Sequence, residues 1–334
     1  MIIAILLFIV GLVLLIKGGD WFVDGASGIA ERLRIPELLI GATVVSIGTT
    51  LPEVMVSATS AAVGAGAIAY GNAIGSVICN TALIAALTVT IKPSGTDRKS
   101  LIVPVIFFFA SAVFYAVCAY FFGYFYRWAG ILLLVVFVGY IALSSIQAKR
   151  ESKLLSAEEI EEKEKEAEEK TKPDGGKKGL IKDIIFLIIG AALIAVGAKL
   201  LVDNGTKIAE IIGLPQSVIA LTFVALGTSL PELVTAITSL IKGHGALSLG
   251  NLIGANLFNI VLVSGVSVAI APFAVPAEAL FFGLNRSLVI DIPVMFAVMF
   301  VLTVPALIRG KLSRWQGIVL LAIYAAFCVV QFVF

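Results

Sequence analysis

The chain writes one hexapeptide twice: Gly48-Thr49-Thr50-Leu51-Pro52-Glu53 and Gly227-Thr228-Ser229-Leu230-Pro231-Glu232. Each copy lies inside an apolar stretch long enough to cross a membrane, and each puts a carboxylate, two hydroxyls and a proline where lipid demands Leu or Val. An ionisable residue within a membrane span costs about 2.5–3.5 kcal/mol or more, which makes it a functional-site hypothesis by default. Proline removes a backbone N–H and frees the carbonyl one turn earlier. Bare carbonyl oxygens beside a carboxylate are hard ligands of the kind Ca²⁺ and Na⁺ take.

The surrounding sequence is that of a polytopic membrane protein, with 60% hydrophobic and 14% charged residues and a mean hydropathy of +1.07. Basic residues sit in separate loops and the net charge is +2, so there is no footprint for nucleic acid. Cys79, Cys118 and Cys328 fall in apolar segments and form neither a disulfide framework nor a metal spacing. The sole histidine, His244, reads as a loop residue. The apolar run from Ile2 to Ile16 lacks a basic leader and a cleavage site, so it reads as a first membrane helix rather than a signal peptide.

Charge and Gly/Pro punctuation delimit ten expected spans: 2–18, 37–62, 68–91, 101–122, 128–147, 181–201, 214–241, 246–272, 286–308 and 314–333. The first and sixth can continue as helix past their charged ends. The second, third, seventh and eighth are dense in Gly, Ser, Thr and Asn, which suits close packing and broken helices. The fourth, fifth, ninth and tenth read as lipid-facing scaffold. Twenty of the 24 Lys and Arg residues fall on the face opposite the termini. The positive-inside rule then expects both termini outside a plasma membrane and the hydrophilic loop in the cytoplasm. That loop, with Glu and Lys alternating ahead of Pro173-Asp174-Gly175-Gly176, reads as a solvated helix and a flexible joint. It is too short for a folded calcium sensor and has no Asp-rich calcium loop.

A shift of 179 residues superposes the halves without a gap. Val23-Asp24 meets Val202-Asp203, Pro36 meets Pro215, and Gly71-Asn72 meets Gly250-Asn251. Gly75 meets Gly254, and Asn80 meets Asn259. The expected organisation is therefore a first five-helix repeat over 1–148, a charged cytoplasmic loop over 149–180, and a second repeat over 181–334. Five is odd, so the second copy enters the membrane inverted, as in alternating-access transporters whose site lies near the midplane. The identities concentrate on polar residues inside spans, which points to function kept by both halves. Ser76 and Asn80 share a helix face at i,i+4; the second copy has Ala255 in place of Ser76. Two carboxylates bring a charge of about −2, which one Ca²⁺ or two Na⁺ neutralise; an empty charged site is costly to carry through lipid. Charge names the ion class and not the exchanged pair. Asn72, Asn251 and Asn256 read as helix cross-links or caps, and Asp24 and Asp203 as caps or partners of basic residues.

On the paired Gly-Thr-Thr/Ser-Leu-Pro-Glu and Gly-Asn-x-Ile-Gly-Ser/Ala motifs, the chain resembles the cation/Ca²⁺ exchanger superfamily, in particular prokaryotic Na⁺/Ca²⁺ exchanger membrane proteins. The resemblance spans nearly everything but the charged loop. It implies ten helices, a diamond of four ion positions at the membrane centre, and a first-plus-sixth helix pair that slides against the rest. Residue by residue, it implies Ca²⁺ carboxylates at Glu53 and Glu232 with the backbone carbonyls of Thr49 and Thr228. Sodium positions would use Ser46, Thr50 and Ser76 in the first half and the Ala225 carbonyl and Ser229 in the second, with Asn80 and Asn259 closing the centre. Some relatives carry Ser in place of Ala255, so one Na⁺ position here lacks a hydroxyl. K⁺-dependent relatives carry Asp in place of Asn259, so Asn argues against a K⁺ requirement. Three Na⁺ per Ca²⁺ is the family expectation.

The expected function is Na⁺/Ca²⁺ antiport. A H⁺-coupled Ca²⁺ exchanger of the same superfamily, with the glutamates carrying protons, is the alternative, and a cation channel a remote one. No nucleophile–base pair, zinc spacing or phosphate loop suggests an enzyme. Ca²⁺, Na⁺ and the bilayer are the expected partners, no cofactor is implied beyond the transported ions, and no motif specifies an oligomeric state.

Overall fold

A backbone in lipid must satisfy its own hydrogen bonds, so apolar spans become helices. The computed structural model describes residues 2–93, 95–154, 176–211, 227–277 and 280–333, and almost all of them are helical. In chain order they form α1 (Ile2–Leu33), α2 (Glu37–Ala62), α3 (Gly66–Ile91), α4 (Arg98–Phe122), α5 (Arg127–Leu154), α6 (Gly176–Ile211), α7 (Leu230–Ile241), α8 (Gly245–Ile270), α9 (Ser287–Arg309) and α10 (Arg314–Val333). Among the described residues nine helices are long and apolar enough to cross a membrane, and α7 is a shorter apolar helix. The first part of the seventh expected span and most of the charged loop lie outside the described residues.

Where described, the expected boundaries hold to a few residues, α5 runs past 147 to Leu154, and α1 and α6 continue, as the sequence allowed, through Lys17, Asp20, Asp24, Lys199 and Asp203. These two helices pair antiparallel through backbone contact. A Cβ on Gly18 would lie 2.8 Å from the Ile194 nitrogen, and one on Gly197 would lie 2.8 Å from the Gly11 oxygen. Only glycine permits that approach. Arg32 closes one end of the pair on Asp183 at 2.5 Å.

The centre of the bundle is α3 and α8, whose most apolar stretches are 72% and 78% buried, against 17–44% for α4, α5, α9 and α10. The corresponding stretches of α1 and α6 are 28% and 22% buried, so low burial is shared by the expected scaffold and the α1–α6 pair. Asp97 starts α4 by accepting the backbone N–H groups of Lys99 (3.1 Å) and Ser100 (3.2 Å). Two small antiparallel sheets sit in the links: β1 (Tyr124–Phe125) with β2 (Phe273–Ala274), and β3 (Leu280–Phe281) with β4 (Leu284–Asn285).

The polar helices are widened rather than cut. Pro52 leaves α2 helical from Ser46 to Ala62, and the irregularity is a π turn just upstream, Gly41–Val45. Matching π turns occupy Asn80–Ala85 in α3 and Asn259–Val263 in α8. A π turn keeps the chain helical while shifting its hydrogen-bond register, which is why such turns gather at functional sites. Among the described residues the expected break occurs in the second hexapeptide, where Thr228 and Ser229 form a turn ahead of α7.

Candidate ion site

Helical spacing puts Ser46, Thr49, Thr50 and Glu53 on the inner face of α2, and each is at most 2% exposed. In the second half Ser229 sits at the start of α7 and Glu232 in its first turn, both buried. The fold brings Glu53 and Glu232 within electrostatic reach of each other. Neither carboxylate has a hydrogen-bond partner, although both side chains are fully buried. Thr50 Oγ1, Ser229 Oγ, Asn259 Oδ1 and both polar atoms of Asn80 are likewise buried without partners. Leaving even one such group unsatisfied costs about 1–3 kcal/mol, and more when it is charged.

The two halves are stitched together at Asn251. Its side-chain oxygen accepts the Thr49 hydroxyl (3.2 Å), and its backbone oxygen lies 2.9 Å from the Ser46 hydroxyl, which also contacts Gly41 O at 2.7 Å. Thr49 also lies beside the Glu232 carboxylate, so it stands where α2, α7 and α8 meet. The matching residue, Asn72, donates instead to Glu53 O (3.2 Å) and Ser57 Oγ (2.8 Å). Position 236, which matches Ser57, is alanine, and Asn251 Nδ2 is left without a partner. Asn259 donates to Ala255 O at 3.0 Å, which turns its bare oxygen away from its own helix backbone. Asn256 donates to Thr81 Oγ1 at 2.7 Å, the cross-link expected of it.

Most residues singled out from sequence lie in or beside this region. Ser76 is buried on α3, Thr228 is half-buried on the turn, and Ala225 lies outside the described residues. Asp24 and Asp203 sit within helices and pair with Lys242 (2.7 Å) and Lys199 (3.1 Å), so pairing rather than capping is their role. Sequence reading missed Phe22, which lines a small cavity with Gly48, Thr49, Pro52, Ala191, Ile194, Ala195 and Pro231 between the two hexapeptides and the α1–α6 pair. It also missed Thr235 and Ser239, fully buried and unpartnered three and seven residues beyond Glu232. That spacing, one face of one helix, was the available signal.

Among the described residues no three His, Cys, Asp or Glu side chains cluster as a metal centre. The donor set is two carboxylates with hydroxyl, amide and carbonyl oxygens, which suits hard cations held long enough to be moved. An inverted-repeat bundle with an oxygen-lined polar centre defines the class: a polytopic membrane transporter of small cations.

The comparisons with known proteins narrow that class. The sodium/calcium exchanger protein family model matches residues 3–146 and 182–333, and the chain belongs to that family. It is 33% identical to the sodium/calcium exchanger MaX1 of Methanosarcina acetivorans, covering 98% of each chain. It is 34% identical to the putative antiporter CaxA of Alkalimonas amylolytica, again over 98% of each. The structure of the sodium-calcium exchanger NCX_Mj soaked with Na⁺ and Sr²⁺ superposes with a TM-score of 0.79, at 30% identity and 98% coverage of both chains. The protein is thus a multi-pass membrane ion exchanger rather than an enzyme, built as inverted repeats, with Ca²⁺ and Na⁺ as its cargo.

Proposed function

We propose that this chain exchanges Na⁺ for Ca²⁺ by alternating access at one site built on Glu53 and Glu232. The observation that carries the reading is the pair of fully buried carboxylates with no hydrogen-bond partner, together with the buried unpartnered oxygens of Thr50, Ser229, Asn80 and Asn259. Side chains in that condition are stable when a metal cation supplies the missing charge and contacts, or when a proton neutralises the carboxylate, which the pH arm of the transport test distinguishes. One Ca²⁺ meets both carboxylates, with the Thr49 and Thr228 carbonyls beside them. Sodium uses the positions around Ser46, Thr50, Ser76, Ala225 and Ser229, and Asn80 and Asn259 close the centre. Ser46 contributes its carbonyl, because its hydroxyl is engaged with Gly41 and Asn251. No covalent step is needed: the site crosses cheaply when its charge is neutralised by either load and not when empty.

The protein works in a plasma membrane with both termini outside and the 149–180 loop in the cytoplasm, so the inward Na⁺ gradient extrudes Ca²⁺. Residues 1–148 and 181–334 act as the two inverted halves. The test is ⁴⁵Ca²⁺ uptake into proteoliposomes loaded with Na⁺, against K⁺- and choline-loaded controls, with an imposed pH gradient as a second arm. Uptake that requires internal Na⁺ supports the antiporter. Uptake driven by the pH gradient alone transfers the protein to the H⁺-coupled branch, and conductance far above transporter rates would make it a channel.

A further inference from the structure

The link between α8 and α9 contains a hairpin that the ion site does not use. Leu280 lies opposite Asn285 and Phe281 opposite Leu284, and the two-residue turn Phe282-Gly283 joins the strands. Both turn residues have positive φ, 49° at Phe282 and 79° at Gly283. That is the backbone of a type I′ turn, whose first position favours Asn, Asp or Gly. A bulky aromatic side chain is disfavoured there. Leu280, Phe282 and Leu284 are nonetheless 52%, 78% and 60% exposed, and the Phe281 and Phe282 rings meet edge to face at 4.7 Å. An exposed apolar ring thus stands at a backbone position where Asn, Asp or Gly is easier.

Location supplies a reason. β4 ends at Asn285, and the membrane-crossing helix α9 begins at Ser287. At about 3.4 Å per residue, the tip stands within roughly 10 Å of Asn285, comparable with a headgroup layer of about 5–8 Å on each side of the hydrocarbon. The Tyr120 hydroxyl donates to Leu288 O, which ties the start of α9 to the end of α4. There Phe121 and Phe122 are exposed, and Phe122 contacts the rings of Tyr126 and Trp128. Arg127 sits among them, with its guanidinium on Ile270 O at 3.1 Å. Aromatic rings and a cation at span ends are what a phospholipid interface selects.

We propose that the Leu280–Asn285 hairpin is a bilayer-docking element, with Phe282, Leu280 and Leu284 seated at the headgroup–acyl boundary of the leaflet where α9 begins. The occupant is phospholipid rather than a second copy of the chain. The tip extends a band that already faces lipid, and three side chains cannot supply the roughly 800 Å² per partner of a standard protein interface.

The experiment places a nitroxide at Phe282→Cys, with Cys79, Cys118 and Cys328 changed to Ala, in phosphatidylcholine/phosphatidylglycerol liposomes. Collisions with oxygen are compared with collisions with a water-soluble nickel chelate. Docking predicts several-fold suppression of nickel collisions with oxygen contact retained. Water-like nickel access overturns the proposal, and so does spin–spin broadening, which assigns the tip to a second copy. If the cysteine-free chain does not fold, Phe282→Trp in the native chain is read with phospholipids brominated high or low on the acyl chain, the parent signal subtracted. Quenching strongest by the high label supports docking, and absence of quenching overturns it.

Discussion

The same six-residue motif does two different things in its two copies. In α2 it lies within an unbroken helix whose outer half is loosely covered: Met55 is 63% and Val56 37% exposed. In α7 it opens a helix whose matching positions are packed against α1. A Cβ on Gly19 would lie 2.6 Å from Val234, and Thr235 and Ser239 are fully buried. Lys242, at the end of α7, contacts Asp20 (3.5 Å) and Asp24 (2.7 Å) on α1. Its counterpart in the first half is Val63, 81% exposed and unable to form an ion pair. The α1–α6 pair therefore leans on the second half at one end of the bundle and leaves the first half open at the other. In the proposed alternating-access cycle two inverted halves cannot both be open to one site, and this difference marks the end that is closed. With the roles exchanged, Ala198 of α6 would cover Met55 and Thr59, and no charge pair would hold that state.

The largest expected effect tests whether the copies are equivalent where they should be. Glu53→Gln and Glu232→Gln should each abolish Ca²⁺ flux while the protein keeps its thermal unfolding profile. Near-normal ⁴⁵Ca²⁺ exchange in either would remove that carboxylate from the site. Next comes the asymmetry itself. Lys242→Ala removes half-exposed ion pairs worth about 0.5–1 kcal/mol together, a roughly two- to fivefold shift between states. Labelling of Thr238→Cys by a membrane-impermeant thiol reagent should rise and that of Met55→Cys fall; unchanged labelling of both would show that the pairs bias nothing.

A smaller change is expected from Ala255→Ser, which restores the match to Ser76. It should lower the Na⁺ concentration for half-activation about two- to fivefold, the worth of one modest oxygen contact. An unmoved activation curve would mean that position 255 takes no part.

The smallest effect concerns the turn between α7 and α8. His244 Nδ1–H donates to Glu37 Oε1 at 2.6 Å. This hydrogen bond raises the imidazole above its usual 6.5 against the opposing effect of burial, and the charges of Glu37, Glu31 and Asp24 add to it. A raised value means that the stabilisation is fully present below about pH 6.5 and lost as pH climbs through the raised value. Amide exchange around residues 242–246 should thus accelerate on alkalinisation beyond the intrinsic rate change, and His244→Gln should abolish that excess. An excess that persists in the variant would place the titrating group elsewhere.

Much of this was legible before any fold was known, because lipid is a severe solvent. A carboxylate at position 53 or 232 among Leu, Val and Ile has no bland explanation, so the hexapeptides marked the centre directly. The offset of 179 residues marked the halves, and an odd number of spans forced their inversion. Those inferences rest on chemistry local to each residue. What the tertiary structure decided depends on neighbours far away in sequence. Pro52 did not break its helix, which stays regular from Ser46 to Ala62, and the irregularity falls upstream in the π turn Gly41–Val45. Asn251 joined the halves because α8 crosses α2 at Ser46 and Thr49, and no local pattern encodes a crossing. Lys17, Asp20 and Asp24 lie inside α1, a continuation past the charged end that the sequence allowed, but that Lys242 pairs with Asp20 and Asp24 was decided by the approach of α7. α1 leans on α7 because Val234, Thr238 and Lys242 meet Gly19, Asp20 and Asp24 there, contacts between residues more than 200 positions apart that a duplicated sequence does not by itself select.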